Sequence, residues 1–490
     1  MSSGTKHSWL KKIENVAKKV FWKLKPIPPP YKIQVTGDNV YAAVDLHSNT
    51  ISLNPSKVNV KFLEETVAHE LKHMSRDGLP GTLLDSKRHE AKILKLYNVN
   101  PRPVLNCVYD IVIDTKLHRV GFNIRGWQED ILSKNPVKGM NAWFKLNCFY
   151  KALVGVRSPN LMDPPKKYLN LAKTLVEEDM PREDDDNVIE LAEYFVPEYS
   201  TIEEDISPKG METFPVSEEM VTQVLEIGIE EGLSPNNLKR LVGREYNVDE
   251  ELANLAREKI FDNIIAFREL EGRSMIEVKR TGIARFRHDT SKLEPVSVAS
   301  NPDDPRKWKV KAQVPLTVIP SSAGTGGFKE VWLIIDCSDS TSATDARGKR
   351  VIEYEKDIAA SVAAFAVERG LEFSAIPFSA NAEVIRGDVV EVMKRILLLQ
   401  PHSITCLGEP ARLLEEIGVE RSLIAIVTDG EVYERDVELY TSLAENNRII
   451  AVILSEANAS KFSLKGIDIY TVEPDSAGNV IVSEFEQAIR

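Results

Sequence analysis

Two histidines stand four residues apart around a glutamate in VAHELKHMSRD (67–77): His69, Glu70 and His73. On a helix, positions i and i+4 lie on one face, so both imidazoles can reach a single cation. Glu70 sits beside them, placed to take a proton from a water that the metal activates. That is the chemistry of a hydrolytic zinc site, which needs a third protein ligand and one open position. The long form HExxHxxGxxH is absent, because Arg76 replaces its glycine and Leu79 its last histidine. The third ligand must therefore come from a later element. In NCVYDIVID, Asn106, Asp110 and Asp114 fall four apart and share a helix face. Asp110 is the favoured ligand, and Glu90, on the helix next after the motif, is the alternative. Asp114 or Asn106 would then hold a ligating histidine in its tautomer.

A second constellation uses oxygen alone. DCSDST contains Asp336-x-Ser338-x-Ser340 at the end of an apolar run, VWLIID, and two later runs add Thr405 in SITCLGEP and Asp429 in VTDG. At the carboxyl end of a parallel strand, such groups face the crevice where open α/β sheets bind ligands. Hydroxyls and carboxylates are hard donors that suit Mg²⁺ or Mn²⁺.

The elements that would position these residues follow from periodicity. The segment 31–55 alternates β-prone runs with turn residues and predicts short antiparallel strands. Helical spacing predicts helices over 61–74, over 85–97 with Asp85 as cap, and over about 104–117. The acidic stretch 176–187 predicts a solvated connection, and 217–283 is nearly all helical pattern without metal ligands. From residue 328 onward, apolar strands alternate with helices, which predicts a mostly parallel sheet covered on both faces. SSAGTGGFKE (321–330) precedes a strand instead of following one, and with no GxxxxGK it predicts a linker and not a nucleotide loop.

With 490 residues the chain is too long for a single core. Hydrophobic residues at 43% and charged residues at 28% describe a globular chain, and a net charge of -12 argues against a general nucleic-acid binder. The four cysteines, Cys107, Cys148, Cys337 and Cys406, form no CxxC pair, so neither a thiolate zinc site nor a disulfide framework is expected. The absence of a long apolar run and of a signal-peptide pattern predicts a cytoplasmic location. The first segment is a basic amphipathic helix with an apolar stripe of Trp9, Ile13, Val16, Val20 and Leu24, which predicts packing on the body in preference to a peripheral membrane contact.

Strands, then LNP, then HExxH, then NxxxDxxID resemble the N-terminal domain of the metallopeptidase family that carries a von Willebrand A-like C-terminal domain. The resemblance implies a zincin-like site of His69, His73, Glu70 and Asp110, with the strand in NTISLNP as an edge that holds an extended substrate. The order DxSxS, Thr, Asp over 328–490 resembles the metal ion-dependent adhesion site (MIDAS) of the von Willebrand A fold. That resemblance implies an ion bound by the hydroxyls of Ser338, Ser340 and Thr405, with Asp336 and Asp429 acting directly or through water. An acidic residue of a partner would complete the coordination. Asp339 departs from the pattern, since glycine is frequent there.

The expected architecture is thus multidomain, α+β and α/β. It comprises a basic helix and proline spacer (1–30), a zincin-like domain (31–165), an acidic linker and helical region (166–290), a strand-containing linker (291–327) and a Rossmann-like doubly wound von Willebrand A domain (328–490). The expected function is a zinc-dependent peptidase whose Mg²⁺-binding domain recruits a protein substrate or acidic partner. The alternative is a non-catalytic adaptor that works with a MoxR-type AAA+ ATPase.

Overall fold

The computed structural model describes residues 3–24, 28–36, 42–46, 48–75, 79–80, 82–135, 141–158, 160–177, 186–199, 216, 220–243 and 246–270, four short strand segments within 278–312, and then 327–345, 347–430, 434–454 and 467–489. Most of the acidic stretch 176–187 and the glycine-rich stretch 321–326 lie outside the described residues. The chain is mixed α/β and divides into two compact units, Met1–Val248 and Asp249–Arg490.

The first unit is mostly helical. Helix α1 (Ser3–Phe21) buries Ile13, Ala17 and Val20 in the core and packs on α2 (Leu63–His73). Lys19 Nζ lies 2.8 Å from the Glu64 carboxylate in the first turn of α2, and Lys23 pairs with the same group. The apolar stripe is therefore a core face, as expected of an amphipathic helix in a folded body.

The chain between these helices forms a small sheet of β1 (Lys32–Val35), β2 (Ala42–Asp45) and β3 (Thr50–Leu53), in the order β1-β3-β2. β3 pairs in parallel with β1 and antiparallel with β2. This corrects two expectations: the sheet is mixed and not antiparallel, and the strand of NTISLNP is central. Both of its backbone edges are taken, so it has no free ladder to offer a substrate. Its apolar residues Ile51 and Leu53 made it the strand that the core recruits into the middle.

Helix α3 (Leu83–Tyr97) is capped by Thr82, whose side chain accepts from the Asp85 backbone N–H, so Thr82 and not Asp85 is the cap. Helix α4 (Pro101–Arg119) starts at Asn100, whose side chain accepts from Arg102 N, with two prolines in a first turn that needs no N–H. Val104, Val108, Ile111, Val112, Ile113 and Leu117 are all buried, as are Asp114 and Thr115, so α4 is buried nearly all round. Such a helix belongs at the centre of a bundle. It packs on α2, α3, α5 (Ile124–Lys134), α6 (Ala142–Val154), α7 (Lys166–Glu177) and α8 (Asp186–Glu193). Helices α9 (Val221–Glu230) and α10 (Pro235–Val242) close the unit against α3.

In the second unit, α11 (Val248–Leu270) is followed by two short antiparallel pairs, β4 (Val278–Lys279) with β5 (Ile283–Ala284) and β6 (Pro295–Val298) with β7 (Val310–Ala312). The body is a five-stranded, all-parallel, Rossmann-like sheet of β8 (Glu330–Asp336), β9 (Glu372–Phe378), β10 (Ser422–Thr428), β11 (Arg448–Ile453) and β12 (Ile467–Thr471). Its order is β12-β11-β10-β8-β9. Trp332 and Ile334 face a core with Leu407, Ala411 and Leu414 of the α14 region (Gly408–Ile417). Helix α12 (Val351–Arg369) packs on β8 and β9 and against α13 (Val389–Leu397) and α17 (Ala477–Ile489); short helices α15 (Glu434–Glu438) and α16 (Tyr440–Leu443) lie beside α14. The order reverses between β10 and β8, so the carboxyl ends of these two strands flank the topological switch point.

Candidate metal centres

In the first unit, α2 and α4 cross so that three side chains meet: His69 and His73 from α2 and Asp110 from α4. The His69 and His73 Nε2 atoms lie 3.2 Å apart, and Asp110 Oδ1 lies 3.3 Å from the first and 3.7 Å from the second. A zinc tetrahedron with bonds of about 2.0–2.2 Å has edges of roughly 3.3–3.6 Å, so this triangle has the size of one coordination face.

The tautomers point the same way. His69 Nδ1 donates to Asp114 Oδ1 at 2.7 Å, and His73 Nδ1 donates to the Leu79 carbonyl at 2.7 Å. With each Nδ1 hydrogen committed, each neutral ring aims an Nε2 lone pair at the same point. Two lone pairs at that separation repel unless a positive charge sits between them. Burial lowers the His69 pKa, but the carboxylates of Asp114 and Asp110 outweigh it and hold the ring well above its usual range. Burial and the charge on His69 push His73 down to about 4. The cluster thus has room for one positive charge and a donor set of two nitrogens and one carboxylate, which fits zinc.

Glu70 is buried, and that burial pushes its carboxyl up to about 7, with His69 pulling the other way. The Asp110 side chain is 33% exposed while that of His69 is 11% exposed, so the centre opens to solvent on the Asp110 side. Two other candidates lie elsewhere. The Glu90 carboxylate is held by Lys87 Nζ at 2.9 Å and Arg102 Nε at 3.5 Å and is not brought to the histidines. Asn106 is exposed on α4, and both histidine Nδ1 atoms are occupied by other acceptors.

Motif spacing did not reveal the support around Asp114. This carboxylate is fully buried, and Gln128 of α5 donates its Nε2–H to Oδ2 at 2.7 Å. Tyr150 of α6 is buried against the same group; burial first, then the charges of Asp114 and Asp110, push its hydroxyl well up. Trp127 sets its ring edge-on to His69 with centroids 5.6 Å apart. Gln128 and Tyr150 are ordinary helix residues in the sequence, and only the crossing of α4, α5 and α6 gives them this role.

In the second unit, Asp336 ends β8 and is fully buried. Its Oδ1 accepts from the Ser338 N–H at 2.9 Å and the Ser338 hydroxyl at 2.6 Å, and its Oδ2 accepts from the Thr428 hydroxyl at 2.6 Å. Ser338 Oγ lies 3.0 Å from Ser340 Oγ. Burial pushes Asp336 up to about 6 against these hydrogen bonds, and the charge of Asp429, one residue past the end of β10, adds to the rise. Thr405 is half-buried in a loop that the Asp339 N–H joins through the Ser403 carbonyl at 2.8 Å. Two supporting residues were not legible from spacing: Thr428, and Glu355 of α12, a fully buried carboxyl pushed well up by burial and by Asp336 and Asp429. The donors are all oxygen, at the switch point of the sheet, and fit a hard dication.

No family model and no curated protein matches this chain. Among solved structures, it is similar to the conserved hypothetical protein BatB from Bacteroides thetaiotaomicron, at 20% identity over 33% of this chain and 98% of that one, with a TM-score of 0.28. An aerotolerance-related membrane protein from Bacteroides fragilis matches at 18% identity over 32% of this chain and 99% of that one, with a TM-score of 0.27. Proximal thread matrix protein 1 from the mussel byssus matches at 15% identity over 33% of this chain and 46% of that one, with a TM-score of 0.26.

Proposed function

We propose that this chain is a von Willebrand A-type adaptor whose second unit recognises a protein partner through a Mg²⁺ or Mn²⁺ ion. The observation that carries this reading is the meeting of Asp336, Ser338 and Ser340 at the switch point, with Asp429 beside them. The hydrogen bonds from Ser338 and Thr428 fix the Asp336 carboxylate in the core, while the serine hydroxyls stand at the strand end. Thr405 would add a third hydroxyl, and a carboxylate from the partner would complete the shell. A MoxR-type AAA+ ATPase is the partner class that this resemblance implies. The test is a Mg²⁺-dependent pull-down with the full chain: Ser338→Ala is expected to abolish capture, and capture that persists in Ser338→Ala or in EDTA overturns the reading.

A second reading rests on Glu70 beside the His69, His73 and Asp110 cluster: a zincin-like, zinc-dependent peptidase. Bound zinc would supply a Lewis acid and a lowered water pKa. Of the chain's own groups, Glu70, buried and next to His69 on α2, would take the proton from the attacking water. Asp114 and the Leu79 carbonyl keep the imidazoles oriented. An extended substrate would pair with β2, an edge strand that packs on α2, instead of with the central β3. Glu70→Gln is expected to keep its zinc and lose all cleavage of a peptide library; equal cleavage by both proteins sinks this reading.

A further inference from the structure

We infer that the partner segment bound at the second-unit ion carries a large apolar side chain next to its carboxylate, and that Ile404 is the residue that reads it. The inference rests on the adaptor reading and adds the chemistry of the partner.

Ile404 is 69% exposed and directly precedes Thr405. Among the described residues of the second unit, the one other large apolar side chain that stands exposed is Ile417, at 38%. The loop holding Ile404 is fastened from several directions. The His402 N–H donates to the Cys337 carbonyl at 2.8 Å, and the Asp339 N–H donates to the Ser403 carbonyl at 2.8 Å, so the loop is stitched to both sides of Ser338. The Cys406 N–H donates to the Ser379 carbonyl at 2.9 Å. The His402 ring spans the loop and the end of β9: Nδ1 donates to the Gln400 carbonyl at 2.9 Å, which leaves Nε2 to accept from the Ser379 hydroxyl at 3.0 Å. Ser403 is held at a φ of 66°, a left-handed conformation that a non-glycine residue keeps only when its surroundings impose it.

An apolar side chain held out to solvent on a pinned loop is preorganised for contact, because little freedom remains to be lost on binding. Its place beside the ion-binding residues puts it near the centre of any interface formed there, where anchoring side chains act most strongly. Charge selects the neighbour further. Asp339 is exposed between Ser338 and Ser340, so a second acidic residue on the partner would meet a like charge. A single carboxylate for the ion with an apolar residue beside it satisfies both constraints; a polyacidic segment satisfies only the first.

The test measures binding of the full chain, in Mg²⁺, to surfaces densely coated with short peptides holding one aspartate flanked by leucine or by glycine. The wild type is expected to favour the leucine-flanked peptides by about tenfold, the effect of burying two or so methylene groups. Ile404→Ala should reduce that ratio to about one while Ile404→Leu keeps it, and Ser338→Ala should abolish binding to every peptide. An unchanged leucine preference in Ile404→Ala, with Ser338→Ala still inactive, overturns the role of Ile404 and leaves the adaptor reading standing. Undiminished binding by Ser338→Ala overturns the adaptor reading itself. A wild-type dimer that Ile404→Ala turns into a monomer in sedimentation assigns Ile404 to a second copy of the chain and overturns the partner assignment.

Discussion

The two candidate centres are both built on a fully buried aspartate, Asp114 in the first unit and Asp336 in the second, yet these carboxylates do opposite work. Asp114 turns to a buried imidazole and fixes the direction of a nitrogen lone pair. Asp336 turns to hydroxyls and fixes the place of oxygens. The buried acid is the anchor in each case, and the groups it orients set the class of metal that each candidate centre would suit: nitrogen with one carboxylate would suit zinc, and oxygen alone a hard dication. The second difference is in range. The first centre gathers α2 and α4 and leans on α5 and α6, whereas much of the second lies within five residues at the end of one strand.

The largest way to break this comparison is to remove a ligand. His69→Ala is expected to reduce the metal content of the first unit from about one zinc per chain to none, measured by elemental analysis, while Mg²⁺-dependent capture by the second unit is unchanged. Loss of both functions in that variant would show that the centres are not independent. A smaller effect tests the long-range support: Gln128→Ala, which touches no ligand, should weaken zinc binding by about 10- to 100-fold in a competition titration by freeing Asp114. Zinc affinity equal to wild type would mean that Asp114 orients His69 without help. Smallest is the local cap that starts α3: Thr82→Ala should cost about 1 kcal/mol in denaturant unfolding and leave zinc affinity intact, since α3 holds none of the three cluster residues.

The centres also differ in how much of each could be read before the fold was seen. HExxH and DxSxS are short-range patterns, so a helix or a strand end carries them whatever surrounds it. Asp110 and Asp114 were legible as a polar stripe on a helix otherwise apolar, because polar groups inside a buried helix need partners. Glu90 had an equally plausible position in sequence; what removes it from the histidines is the buried Lys87 beside it, a pairing set by the packing of α3 against α10, whose Leu241 carbonyl also takes a Lys87 hydrogen bond. The strand of NTISLNP was read as an edge because strand order is a non-local property. Its central place between β1 and β2 depends on a parallel pairing that adjacent residues do not encode.

The sequence by itself determined the periodicities: helices over the HExxH motif and its acidic follower, and apolar strands alternating with helices in the second unit. It also determined the donor types, because side-chain chemistry is carried residue by residue. Only the tertiary structure decided which carboxylate meets the histidines, that Gln128 and Tyr150 stand behind Asp114, and that Thr428 locks Asp336 from the neighbouring strand. The physical reason is common to all of these. A buried charge must find its hydrogen-bond donors in space, and space brings together elements that the chain keeps far apart.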